Sequence, residues 1–308
     1  MIVTLAGGVG AARFLEGLIH VVPQERITII GNVGDDTEFY GLHVSPDLDI
    51  VAYTLAGLVD TAKGWGFRSD SFHCQKMLET YGYRTWFNLG DRDLATHLFR
   101  TEQLRRGKKL SGVTANIISR LGLDVTLLPS TDDPLQTHVS TATRLMHFQD
   151  YMVRYQTKPK VNRVIFKGAQ SAKPAPRVLQ SLMKADGIII CPSNPIVSIG
   201  AILAVKRIRS ALKKTEARIV GVSPIVGGKT IKGPADKLMK SLGTEPSAVG
   251  VAELYRDFID TLIIDKVDQK LAPQIRSLGM KTIVSQTLMR TMSDKVHLAR
   301  VALSEIKS

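Results

Sequence analysis

The residues best suited to chemistry fall on a few loops, and the first of them lies near the start of the chain. Ala6-Gly7-Gly8-Val9-Gly10-Ala11-Ala12-Arg13 joins the apolar run 2–5 to an amphipathic stretch carrying Phe14, Leu15, Leu18 and Ile19. Glycines there let the backbone turn sharply and approach an oxygen closely, and the first N–H groups of a helix bind anions. This predicts a phosphate cradle built from Gly7, Gly8, Gly10, Ala11 and Ala12. The pattern departs from GxGxxG, because Arg13 stands where the third glycine would be. The next apolar run ends Ile30-Gly31-Asn32, with no acid to take a ribose 2′-OH. Both departures count against NAD or FAD, whereas Arg13 suits direct charge pairing to a phosphate. A plain strand–helix turn would use the same glycines, so this motif alone supports no more than phosphate binding.

A second loop, Cys191-Pro192-Ser193-Asn194-Pro195-Ile196-Val197-Ser198, follows the apolar run 187–191. Its prolines stiffen it, Ser198 is an N-cap candidate, and Ser193 and Asn194 offer hydrogen bonds to a base, a ribose or a phosphate. Carboxylates form the third group. Asn32-Val33-Gly34-Asp35-Asp36-Thr37-Glu38 follows the second apolar run, and Pro46-Asp47-Leu48-Asp49 opens an apolar helix. Such oxygens suit Mg²⁺, which takes one or two carboxylates plus substrate phosphates. Helix capping by Asp47 or Asp49 is the simpler alternative. Asp60 returns to the Asp49 face, but at ~1.5 Å per residue a continuous helix sets the two about 16 Å apart. That excludes Asp60 from a shared ion unless the helix breaks at Gly57.

A fourth cluster spans 86–100, Trp-Phe-Asn-Leu-Gly-Asp-Arg-Asp-Leu-Ala-Thr-His-Leu-Phe-Arg. Asp93 is placed to cap a helix on which His97 and Arg100 share its face, as a functional set or as an exposed ion-pair face. Trp65-Gly66-Phe67-Arg68 adds aromatic surface that would suit a flat ring, with core packing the default. Two motifs fail. Gly227-Gly228-Lys229-Thr230 ends like a P-loop, but Ser223 occupies the position of the required first glycine. His73-Cys74 has no third ligand nearby, which leaves no zinc site.

Composition narrows the class. The chain of 308 residues is 44% hydrophobic and 22% charged, as in an ordinary globular enzyme. No apolar run approaches the ~20 residues that cross a bilayer, and nothing at the N-terminus reads as a signal peptide. The two cysteines, Cys74 and Cys191, lie far apart and fit a reducing compartment, so a cytoplasmic protein is expected. The net charge of +13 is spread along the chain, without a nucleic-acid-binding signature. It points to a small polyanionic substrate and not to nucleic acid or membrane.

The elements that must position these loops follow from the pattern. Runs at 2–5, 26–30, 124–128, 162–166, 187–191, 218–222, 261–265 and 281–285 are apolar with little alternation, as in strands covered on both faces. Helical patterns lie between them at 11–22, 48–59, 72–80, 93–105, 111–121, 174–184, 198–213, 233–242, 247–256, 268–278 and 287–303. This order predicts an α/β fold, a Rossmann-like doubly wound and mostly parallel sheet. Residues 1–308 read as a single α/β domain, with a largely helical insertion at about 37–122 folded onto it as a cap. Residues 137–156 read as two short strands around a turn and then a helix.

Six ordered blocks, AGGVGAARFLEGL, NVGDDTEFYGLHVSPDLDIVAYTLAG, GWGFRSDSFHC, NLGDRDLATHLFR, HFQDYMVRY and CPSNPIVSIG, resemble the 2-phospho-L-lactate transferase family of deazaflavin coenzyme F-420 biosynthesis over nearly the whole chain. The resemblance implies transfer of a phospholactyl group from lactyl-2-diphospho-5′-guanosine to the ribityl hydroxyl of the deazaflavin Fo. GMP is released, Mg²⁺ is required, and a homodimer is expected. It implies that the glycine turn, Arg13, Ser193 and Asn194 hold the GDP part of the donor. Asp35 or Asp36 together with Asp49 would hold the metal. Asp49, Asn88, Asp91 and Trp65 would line the Fo pocket, and Asp36, Asp49 and Arg13 would carry catalysis, Asp36 by orienting or deprotonating the hydroxyl. Two rivals use the same cradle: a nucleotide-binding regulatory protein without catalysis, and a nucleotidyltransferase of the same pathway. Whether the donor carries lactate, enolpyruvate or another three-carbon acid is open at the level of sequence.

Overall fold

Strands built of Val, Ile and Leu on both faces must be covered on both sides, and seven of the expected runs assemble into one sheet. The computed structural model describes residues 1–307, and Lys307 by its backbone alone. The strands are β1 (Ile2–Ala6), β2 (Ile27–Gly31), β3 (Thr126–Pro129), β4 (Gly187–Ile190), β5 (Arg218–Val222), β6 (Thr261–Asp265) and β7 (Lys281–Ser285). They are all parallel, in the order β7-β6-β5-β4-β1-β2-β3. β1, β2 and β4 are buried at every position, as a doubly wound sheet requires.

The order reverses between β1 and β4. The chain runs outward from β1 to β2 and β3, then returns to lay β4 on the other side of β1, with Leu5 opposite Ile190. Such a reversal parts the loops beyond the carboxyl ends of the two strands and opens a crevice there. The glycine turn and the Ser193-Asn194 loop leave from these two ends, so topology alone brings them together.

One expected strand lies elsewhere. Residues Arg163–Lys167 join Gln136–Ser140 and Leu145–His147 in a separate three-stranded antiparallel sheet, where Arg163–Lys167 is an edge. Its ends are exposed and its centre half-buried, so charged Arg163 and Lys167 are tolerated where a central strand would not hold them. The two strands and turn expected within 137–156 are those at 136–140 and 145–147, followed by a π-helical turn at Asp150–Arg154. The helix expected over 198–213 is two, Ile199–Ala204 and Ile208–Leu212, parted where Arg207 takes φ +69°.

Between β2 and β3 lie a hairpin (Thr37–Phe39 with Leu42–Val44) and four helices, α2 (Pro46–Leu55), α3 (His73–Thr80), α4 (Asp91–Arg105) and α5 (Leu110–Arg120). α2 is buried from Asp47 to Leu55 and packs on α1 (Gly8–Leu18), so it belongs to the main core. The hairpin and α4 share a second small apolar cluster of Val44, Leu89 and Leu94. Among the described residues no helix is long and apolar enough to cross a membrane.

Close packing at the crevice makes a direct prediction. A Cβ on Gly10 would lie 2.2 Å from the Pro192 carbonyl oxygen, an atom of the backbone that cannot swing away. Gly10→Ala is expected to destabilise the protein by about 1–3 kcal/mol in urea unfolding. Gly112→Ala, in α5 with nothing within 4 Å of its Cβ, is the control. It should leave stability unchanged or raise it by up to about 1 kcal/mol.

Candidate functional site

The cradle is a meeting point of three loops. Gly7 is the N-cap of α1 and its N–H donates to Ser193 Oγ at 3.2 Å. A Cβ at Gly7 would lie 2.7 Å from both Asp47 Oδ2 and Ser198 Cβ, so glycine is demanded here by the protein's own packing. Asn194 Oδ1 accepts from the N–H groups of Ile196 and Val197 at 3.0 and 3.3 Å, which folds the loop on itself. Ser198 does hold the N-cap position, but its side chain makes no cap bond. Only the first turn of a helix has N–H groups without an intrahelical partner, which here means Gly8, Val9 and Gly10. Ala11 and Ala12, expected in the cradle, lie too deep in α1: their methyls are buried in the core and their N–H groups belong to the helix ladder. Arg13 stands half-buried just beyond them on α1.

Carboxylates crowd one side of this cradle. Asn32 organises them: its Oδ1 accepts from Gly34 N and its Nδ2 donates to Asp47 Oδ2, each at 2.8 Å. Burial pushes Asp47 up to about 6, and the nearby Asp36 charge adds to the effect while Asn32 and Gly8 oppose it. Asp35 is raised well above the usual carboxylate range, first by burial and then by the charges of Asp47 and Asp36. Among the described residues its Oδ1 has no hydrogen-bond partner. Asp36 is raised by burial too, with His43 and Ser45 working against the shift. Ser45 Oγ donates to Asp36 Oδ2 at 2.7 Å and His43 Nε2 lies 3.0 Å from the same oxygen, leaving Oδ1 unpartnered.

Asp49 has a different environment. Residues two apart on a helix point to different sides, so Asp47 and Asp49 do not serve one ion. Arg100 grips both oxygens of Asp49, Nη1 donating to Oδ2 at 3.0 Å and Nη2 donating to Oδ1. His97 lies between acids, with Nδ1 3.7 Å from Asp49 Oδ2 and Nε2 3.3 Å from Asp93 Oδ1. Asp93 Oδ1 also accepts from the Tyr53 hydroxyl at 2.8 Å. Burial opposes the Arg100 charge, but the charge and hydrogen bond of Asp49, with the charges of Tyr53 and Asp36, together raise the guanidinium's pKa. The Asp93-His97-Arg100 face expected on α4 therefore exists, and it is buried against α2 instead of exposed. Asp49, expected as a metal ligand, has both oxygens paired with Arg100, whereas Asp47 stands beside Asp35.

The cap residues have structural partners. Asp91 accepts from Ser71 Oγ, His73 N and Cys74 N at 2.6, 3.0 and 3.0 Å, so it caps α3 from outside that helix. The Ser71 hydroxyl, followed by those N–H groups, holds its carboxyl below the usual range. Asn88 Oδ1 accepts from Gln75 Nε2 at 2.9 Å, and Trp65 is 38% exposed with the Lys63 ammonium 5.7 Å over its ring. α2 ends before Gly57, at φ +69°, and Asp60 accepts from Ala62 and Lys63 N–H groups in its own turn. Among the described residues no group of three or more His, Cys, Asp and Glu is arranged to hold a metal. Two carboxylates, Asp35 and Asp47, suit a cation that completes its shell with ligand oxygens, as Mg²⁺ does.

The strain at Asp47 has a measurable sign. Its folded pKa of about 6 exceeds the ordinary carboxyl value of 3.8, so between those values the folded state binds more protons than the unfolded chain. Stability then falls as pH rises through that window, and the cost is complete at pH 7. In metal-free buffer Asp47→Asn should stabilise the protein at pH 7 by about 1–3 kcal/mol and flatten the slope from about pH 4 to 6. Urea unfolding across pH checks this; a less stable variant at pH 7 would contradict it.

The geometry can be set beside known proteins. The family described as “2-phospho-L-lactate transferase CofD” matches residues 2–299. A “Phosphoenolpyruvate transferase” of Streptomyces coelicolor is 43% identical over 98% of this chain and 97% of its own. A “2-phospho-L-lactate transferase” of Methanosarcina mazei is 36% identical over 98% of this chain and 99% of its own. A crystal structure of a UPF0052 family member from Bacillus halodurans shares the fold, with a TM-score of 0.64 at 18% identity over 98% of both chains. With a match that spans every strand of the central sheet and both crevice loops, the chain belongs to the CofD 2-phospho-L-lactate transferase family.

Proposed function

We propose that this transferase moves a phosphorylated three-carbon acid from a diphosphoguanosine donor to the ribityl hydroxyl of the deazaflavin Fo, releasing GMP. The observation that carries the reading is the buried pair Asp35 and Asp47 against the glycine cradle at the sheet's switch point. Like charges kept there are a cost that a cation and its bound phosphates would relieve. Asp35 Oδ1, buried and unpartnered, fits such a cation. When bound, Mg²⁺ would neutralise phosphate oxygens of the donor, with Asp35 and Asp47 as its protein ligands.

The chain's own groups do the rest. The first-turn N–H groups of α1 and Arg13 hold the donor phosphates. The hydroxyl oxygen of Fo attacks the phosphorus on the acid side of the diphosphate. The bond from that phosphorus to the bridging oxygen breaks, and its electron pair leaves on GMP. The hydroxyl proton passes to Asp36 Oδ1, the carboxylate atom without a partner, while Ser45 and His43 fix the other oxygen. Asp49 acts by position, its pairing with Arg100 clamping α2 to α4. The Fo ring lies against the cap beside Trp65, Asn88 and Asp91, near the stacked Phe39 and Phe87, whose centroids are 4.2 Å apart.

The acid is open to two readings. Phospholactate follows from the family description and the Methanosarcina name. Phosphoenolpyruvate is favoured by the names of the Streptomyces relatives, which have the higher identity.

The purified protein should form GMP and an acid-phosphate conjugate of Fo in equal amounts, faster with the enolpyruvyl than with the lactyl donor. Omitting Mg²⁺ should lower turnover at least about 100-fold. Asp36→Asn should cut kcat by about 10²–10⁴-fold with donor affinity little changed. GDP binding without Fo-dependent GMP release would support a regulatory protein instead, and synthesis of the donor a nucleotidyltransferase.

A further inference from the structure

The segment Gly227-Gly228-Lys229-Thr230-Ile231-Lys232-Gly233 fails as a P-loop and has no part in the cradle described so far. Positive φ at Gly227, Gly228 and Gly233 (58°, 76° and 85°) folds it into a short hairpin loop. Its Lys232 reaches across the molecule: Nζ donates to the Lys63 carbonyl at 2.8 Å. Gly64 makes room for the ammonium, since a Cβ there would lie 2.3 Å from Lys232 Nζ and 3.8 Å from Val9 Cγ1. The ammonium thus rests on a turn that itself rests on the first turn of α1. Val9 and Arg13 are four residues apart on α1 and share that side of the helix.

Two cations are therefore held together at the mouth of the cradle. Partial burial and then the Arg13 charge keep the Lys232 ammonium below its ordinary pKa. Neighbouring cations are neutralised, Lys63 by Asp60 and Lys295 by Glu16. Among the described residues neither Arg13 nor Lys232 has a carboxylate within ion-pair distance. Uncompensated like charges beside the first-turn N–H groups of Val9 and Gly10 form a field that an anion of more than one charge satisfies well.

We propose that Lys232 and Arg13 form a two-cation clamp on the diphosphate of the donor, with Lys232 an additional donor-binding residue. The identity of the donor rests on the transferase reading above. The Lys63 carbonyl takes one of the ammonium's three N–H groups, which leaves two for phosphate oxygens. Charge grows on the GMP phosphate as the bridging bond breaks, so a fixed cation there favours the departing group. The same contact ties the 227–233 loop to the 60–66 turn beside the cradle.

Calorimetric titration of the full chain with GDP and with guanosine tests the clamp, in the wild type, Lys232→Met and Lys232→Arg. Lys232→Met should weaken GDP binding at least about tenfold and leave guanosine binding unchanged. Lys232→Arg should restore most of the GDP affinity, and thermal unfolding should be alike in all three. Equal GDP affinity in Lys232→Met and wild type would overturn the clamp alone. Parallel losses for GDP and guanosine would overturn it in favour of a purely structural latch. No GDP binding by the wild type would overturn the transferase reading and the clamp with it.

Discussion

Two buried carboxylates, Asp35 and Asp47, set the terms for the rest of this protein. Burial raises both pKa values, the charges of Asp47 and Asp36 adding to it at Asp35 and that of Asp36 at Asp47, and the energy of doing so must be recovered from packing elsewhere. The recovery is visible in the surrounding rigidity. Asn32 donates to Asp47, α2 is buried almost throughout, and glycines let three loops approach within contact. On the transferase reading, such a pair at the crevice would be preorganised for a cation with phosphates, whose positive charge would relieve the cost of keeping both carboxyls ionised.

The neighbouring acids show how similar residues are given different work. Asp47 and Asp49 are separated by one residue on one helix, yet one faces the cradle and the other meets Arg100. The Asp49–Arg100 pair is fully buried and doubly bonded, and His97, Asp93 and Tyr53 extend it into a polar network between α2 and α4. Such a network favours one relative placement of cap and core, since losing either partner strands a charge in the interior. Asp36, held by Ser45 and His43 with one oxygen unpartnered, has the environment of a group that accepts a proton.

Much of the framework is legible in the residues. Continuous Val/Ile/Leu runs identify all seven strands of the central sheet, and the glycine turn and Ser193-Asn194 loop fall where a reversal of strand order must place them. Arg163–Lys167 is less legible, because a half-buried edge strand and a fully buried one share the same apolar centre. The site is harder to read for a geometric reason: its partners are distant in sequence. Asp91 belongs to the N-terminus of α3 from outside that helix, and Arg100 meets Asp49 across two helices. Helical periodicity alone does separate Asp47 from Asp49. Which of the two faces the cradle depends on how α2 lies against α1, and that is a property of packing.

The central claim is that the Asp35–Asp47 pair gives up protons when a cation and donor phosphates bind beside it. Titrating Mg²⁺ with GDP into the wild type and into Asp47→Asn at pH 6, by calorimetry in buffers of different ionisation enthalpy, separates that release from the proton the terminal phosphate of GDP itself gives up near this pH. The wild type should release more protons than Asp47→Asn, by a margin that shrinks toward pH 8 as the carboxyls become ionised before binding. Equal proton release by the two proteins at pH 6 would contradict a role for the pair in holding the cation.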